Sequence, residues 1–135
     1  MSSSSDRPVR VPGPDHPITI APTGAHVRVL ADGAPLADTH GALTLREASY
    51  PPVQYIPRAD IDVTRVVRSS HTSYCPYKGE ATYYSIPALG PRGENAIWSY
   101  ESPHEAVAPI AGHFAFYPER VDAIEIRLIQ SAKAL

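Results

Sequence analysis

The 135 residues are one domain's worth of chain, and 15 prolines and 8 glycines leave few windows long enough for an extended helix, so short strands joined by turns are expected. Twelve Lys and Arg against 14 Asp and Glu give a net charge of −2, without the clustered cations that a nucleic acid or an anionic membrane surface selects. The single cysteine excludes an intramolecular disulfide and any zinc site built on two CxxC pairs, and it fits a reducing compartment.

Residues 1–16 are Ser-rich and then Pro-rich, with almost nothing to bury, and predict a flexible N-terminal arm. The start lacks the apolar segment of a signal peptide, and no run of about 18 apolar residues follows, so a cytoplasmic protein is expected. An arm of this kind can cover a neighbouring subunit, which makes a homodimer one expectation.

Residues 17–129 read as a single domain. Ile18 and Ile20 alternate, as do Val27 and Val29 around Arg28, and period two means strand. Asp32-Gly33 supplies the two positive-φ positions of a tight hairpin turn. The returning strand, Ala34 to Thr39, carries Pro35 and belongs at a sheet edge. Leu43 and Leu45 alternate in the next strand, which ends at Glu47. Val53 to Ile56 is a short strand closed by Pro57.

A helix of one or two turns is expected after Asp60 or Asp62, either of which can cap it; the β-branched residues that follow keep it short. His71 to Cys75 leads into a Pro76-Tyr77-Lys78-Gly79 turn, and Glu80 to Ile86 forms the following strand. There Ala81, Tyr83 and Ser85 share one face, and Thr82, Tyr84 and Ile86 the other. Pro87 to Gly93 is a loop by composition. Asn95 to Tyr100 is a strand with Ala96, Trp98 and Tyr100 on one face. Ser102-Pro103-His104-Glu105 reads as a capping box opening a second short helix. Phe114 and Phe116 alternate in a further strand, and Ile124, Ile126 and Leu128 in the last, beyond which residues 130–135 are expected to fray. The sum is seven to nine strands and two short helices, a mainly β, mainly antiparallel domain.

Chemistry concentrates between Thr72 and Tyr84. Cys75 is a candidate nucleophile if His71 or Lys78 lowers its pKa, although a lone thiol is as a rule a small packed hydrophobe. Lys78, one of two lysines, can pin an anionic ligand as a point charge or pair with Glu47 or Glu80. Trp98 and Tyr100, opposite Tyr83 on a paired strand and joined by Tyr55, would build an aromatic wall ending in hydroxyls, the lining of a small-ligand pocket. Eight tyrosines against two phenylalanines favour a wet cavity over a dry core. No histidine pair has a familiar metal-ligand spacing, so neither metal nor cofactor is expected. Asp60-Ile61-Asp62 is like the paired carboxylates that hold magnesium in nucleotidyl transfer, but no Gly-Ser turn precedes it, and the cap reading is preferred.

Together, the segments Leu43 to Glu47, Val53 to Asp60, Thr72 to Tyr84, Ala96 to Pro103 and Ile110 to Tyr117 resemble domain of unknown function family 427 in order and spacing, with Cys75-Pro76-Tyr77-Lys78-Gly79 the most distinctive block. The resemblance implies a β-tent, similar in topology to the Mss4-like proteins and methionine sulfoxide reductase B, in a zinc-free version. It also brings the label of a nucleotidyltransferase, with no established activity attached.

The reading that emerges is a small-molecule-binding domain with an aromatic pocket. Glu47, Tyr55, Thr72, Lys78, Tyr83, Trp98 and Tyr100 are its expected ligand-binding residues, and Cys75 and Lys78 its candidate catalytic ones. A thiol-dependent enzyme using Cys75, a nucleotidyltransferase and a non-enzymatic protein-interaction module are the alternatives.

Overall fold

A computed structural model describes residues 7–128; residues 1–6 of the expected arm and the expected frayed tail, 130–135, lie outside the described residues. Among the described residues ten strands form: β1 (Ile18–Pro22), β2 (Ala25–Ala31), β3 (Ala34–Thr39), β4 (Leu43–Glu47), β5 (Val53–Tyr55), β6 (Val67–Cys75), β7 (Gly79–Ser85), β8 (Ile97–Ser99), β9 (Ala115–Phe116) and β10 (Ala123–Leu128). They make three antiparallel sheets, ordered β1-β4-β5, β10-β2-β3 and β6-β7-β8-β9. The mainly β, antiparallel expectation holds. The strand count exceeds the expected seven to nine because the segment leading into the Pro76 turn is itself a nine-residue strand, β6.

Asp32 (φ 54°) and Gly33 (φ 79°) turn the β2–β3 hairpin as their residue types require. β3 is an edge strand, and the register slips between Val29 and Leu30, so that Pro35 pairs at a bulge.

β7 organises the interior because both of its faces are covered. Tyr84 and Ile86 face one cluster with Val27, Val29, Leu36, Ile97 and Phe114, beneath the β10-β2-β3 sheet. Ala81 and Tyr83 face a second cluster with Leu45, Tyr55, Tyr100, Val107 and Ile110, beneath the β1-β4-β5 sheet. The four-stranded sheet therefore stands between the other two, and each buried aliphatic or aromatic side chain contributes about 1.5–3 kcal/mol of transfer free energy.

Both helical expectations are realised as 3-10 turns. Val63–Arg65 is capped by Asp62, whose carboxylate accepts from the Thr64 N–H at 3.2 Å. The second, Glu105–Ile110, starts after His104, not at Ser102, and has no side-chain cap. The reason is tertiary: the His104 N–H donates to the Lys78 carbonyl at 2.9 Å, so the β6–β7 turn holds the entry that a Ser102 cap would have set. Pro87–Gly93, expected to be a loop, also winds into 3-10 turns, broken at Gly90 (φ 60°). Among the described residues no helix is long and apolar enough to cross a membrane.

Candidate functional site

Lys78 sits in the turn between β6 and β7, yet its side chain is only 11% exposed. The turn closes through the Lys78 N–H to the Cys75 carbonyl at 3.2 Å. Gly79 follows with φ 111°, a backbone angle that side chains rarely adopt, and lies against the backbone of Ser102, Pro103 and His104. Anchored on that side, the lysine turns inward, and its ammonium donates to Glu47 Oε1 at the end of β4.

The other carboxylate oxygen, Glu47 Oε2, is 2.7 Å from His16 Nε2. The His16 ring stacks on Tyr77, with centroids 3.9 Å apart and planes 5° from parallel. Residues just before it follow the same turn: the Arg10 N–H donates to the Pro76 carbonyl at 2.9 Å, and the Tyr74 hydroxyl to the Pro8 carbonyl at 2.7 Å. Burial pushes the Glu47 carboxyl upward, but hydrogen bonds from Lys78 and His16, with their charges, more than offset this and hold it below its ordinary value.

Beside this pair lies a cavity of about 230 Å³, lined by Glu47, Tyr55, Lys78, Tyr83, Trp98 and Tyr100, with Leu45 and Val53 as apolar floor. Its walls come from adjacent strands: Tyr83 of β7 is the direct cross-strand partner of Trp98 of β8. The Trp98 indole N–H donates to the Tyr55 hydroxyl at 3.1 Å, with the two rings edge-to-face. The Tyr83 hydroxyl is 2.9 Å from Ser73 Oγ. Burial pushes the Tyr55 and Tyr100 hydroxyls well above the ordinary tyrosine value, so both stay neutral donors. Tyr117, whose ring is tilted 44° to that of Trp98 with centroids 4.5 Å apart, is raised to about 12, first by burial and then by the neighbouring Tyr83 hydroxyl. The wall is thus neutral and rich in hydroxyls, with one ion pair at its end.

Of the residues expected at a ligand site, Glu47, Tyr55, Lys78, Tyr83, Trp98 and Tyr100 line this cavity, and Thr72 does not. Thr72 is exposed on β6, paired with Thr82. Cys75 is half-buried and packs against the second cluster without lining the cavity. Neither cation expected to activate it stands free: Lys78 is bonded to Glu47, and His71 lies against the Tyr83 ring at 4.5 Å. His71 is also four strand residues from the thiol, about 13 Å at ordinary strand rise. Asp60 accepts from the Thr39 hydroxyl at 2.6 Å while Asp62 caps its turn, so the two carboxylates have separate structural partners. Among the described residues no three His, Cys, Asp or Glu side chains are grouped to hold a metal ion.

Sequence reasoning missed His16, placed within the arm, and the cavity residues Tyr50, Pro51 and Tyr117. No local pattern marks His16; the register of β1 on β4 brings it in. β1 and β4 pair with Ile18 opposite Glu47, so whatever precedes Ile18 by two residues must lie near that carboxylate.

A family model described as Domain of unknown function (DUF427) matches residues 19–127. No curated protein matches the chain.

Proposed function

The chain belongs to the DUF427 family, and on that premise we propose that it binds a compact small molecule bearing an anionic group in the cavity between Glu47, Lys78 and Trp98. The observation that carries this reading is the convergence of one buried ammonium, one carboxylate and a wall of neutral hydroxyl-bearing rings on a single cavity. Glu47 already neutralises Lys78, so an incoming carboxylate competes for the ammonium. The phenols and the indole cover the body of the ligand, and their hydroxyls fix its orientation. A volume of about 230 Å³ selects molecules the size of a single substituted ring. The lone thiol supports a cytoplasmic setting.

The sole tryptophan gives one indole N–H resonance, and that resonance reports on the cavity. Titrating benzoate and 4-hydroxybenzoate into the full chain should shift it saturably, whereas benzyl alcohol, which lacks the charge, should not. Lys78→Met should abolish the benzoate shift while the protein stays folded by circular dichroism. An indole signal unmoved by both acids at millimolar concentration sinks the reading.

A further inference from the structure

A second, larger hollow of about 1150 Å³ shares Tyr50, Pro51, Val53, Trp98 and Tyr117 with the first cavity, but its remaining walls have a different chemistry. One flank is the face of the β2–β10 pair, where register sets Val29 against Ile124, Val27 against Ile126 and Ala25 against Leu128. Ile126 and Leu128 remain 49% and 74% exposed, and Phe116 and Pro118 extend this apolar wall. The facing flank comes from β4 and β5, where Thr44 pairs with Gln54. There the Thr23 hydroxyl donates to Gln54 Oε1 at 2.6 Å and lies 2.8 Å from Thr44 Oγ1, leaving a small neutral polar strip. Arg46, two residues beyond Thr44 on the same strand face, is exposed and is the only charged residue among the described residues that line the hollow. Among the described residues it makes no ion pair, and none of those lining the walls is a carboxylate.

We propose that this groove binds a single-chain amphiphile ending in a carboxylate. The chain lies along Pro118, Ile124, Ile126 and Leu128, over the buried Val29 and Phe116, and the head group is held by the Arg46 guanidinium. Three properties of the walls select that occupant. The apolar flank is continuous and partly open to water, so covering it removes apolar surface from solvent. The one cation has no competitor for an anion, and its planar fork matches a carboxylate. The volume, about 1150 Å³, lies just above the roughly 300–1,000 Å³ of ordinary small-molecule sites, well beyond what a single ring fills.

The test is calorimetric titration of the full chain with octanoate, decanoate and dodecanoate below their micelle concentrations, alongside dodecanol. Burying each methylene should tighten binding about fourfold, so each two-carbon step should lower Kd by roughly tenfold or more. Arg46→Ala should weaken dodecanoate at least tenfold and leave dodecanol unchanged, and Ile126→Glu should weaken both. Affinity indifferent to chain length, or equal in wild type and Arg46→Ala, overturns the proposal. So does binding without saturation, or self-association of the chain that excludes every amphiphile. Arg46→Ala should not affect benzoate at the smaller cavity; loss of benzoate binding alone overturns the earlier reading and leaves this one standing.

Discussion

The two faces of β7 carry similar residues and do different things. On one face Tyr84 packs on Phe114 at 4.6 Å, and its hydroxyl leaves the core to donate to Glu101 at 2.7 Å, where Arg58 also binds. Burial and the Glu101 bond both raise the Tyr84 pKa, and the ring serves as a plug between the cluster and a surface ion pair. On the other face Tyr83 belongs to a set of tyrosines that turn toward a cavity and stand beside a sequestered lysine. A tyrosine is therefore structural or site-forming according to where its oxygen ends, and its spacing along the strand does not distinguish the two.

The largest expected effect breaks the comparison from the closed side. Phe114→Ala, at a position 1% exposed, should cost about 3–5 kcal/mol in urea denaturation and should not change benzoate affinity in the protein that stays folded. Next, Lys78→Met leaves Glu47 largely buried with only His16 beside it, and should cost roughly 2–4 kcal/mol. Adding Glu47→Leu should recover much of that loss, because an apolar pair is tolerated where an orphaned charge is not; a double variant no more stable than the single would show that the pair is not what the turn depends on. Tyr55→Phe removes the acceptor of the Trp98 indole and should cost about 1–2 kcal/mol, with a shift in the indole resonance as its signature.

The smallest effect is in acid. Glu47 titrates below its unfolded value, so its stabilising contribution is complete above the ordinary carboxylate pKa, roughly 4.3, and is lost as pH falls through the folded value. Glu47→Gln should flatten that part of the stability profile, and an unchanged acid limb would assign it to other carboxylates.

Period-two alternation made most strands legible, and the pairing of Tyr83 with Trp98 followed from strands that are neighbours in sequence. Lys78 stood out as one of two lysines, with Glu47 and Glu80 as equal candidate partners, and the fold pairs it with Glu47. His16 was hidden because its role depends on the long-range register of β1 on β4, which tertiary packing sets and local pattern does not. Thr72 illustrates the reverse error. Closeness in sequence to Lys78 placed it at the site, whereas β6 carries it to an exposed position several residues up the strand. The missing Ser102 cap has the same origin: a local motif gave way to a backbone bond from a distant turn.

The β2–β10 pairing has a consequence for synthesis. The strand that covers one edge of β2 is made almost a hundred residues after its partner. Until it arrives, β2 presents an open hydrogen-bonding edge bearing Val27 and Val29, the sort of template on which nascent chains stick to one another. A ribosome stalled before Ala123 would hold a chain with that edge bare, so a holdase should engage this protein after β2 has emerged and let go once β10 has docked.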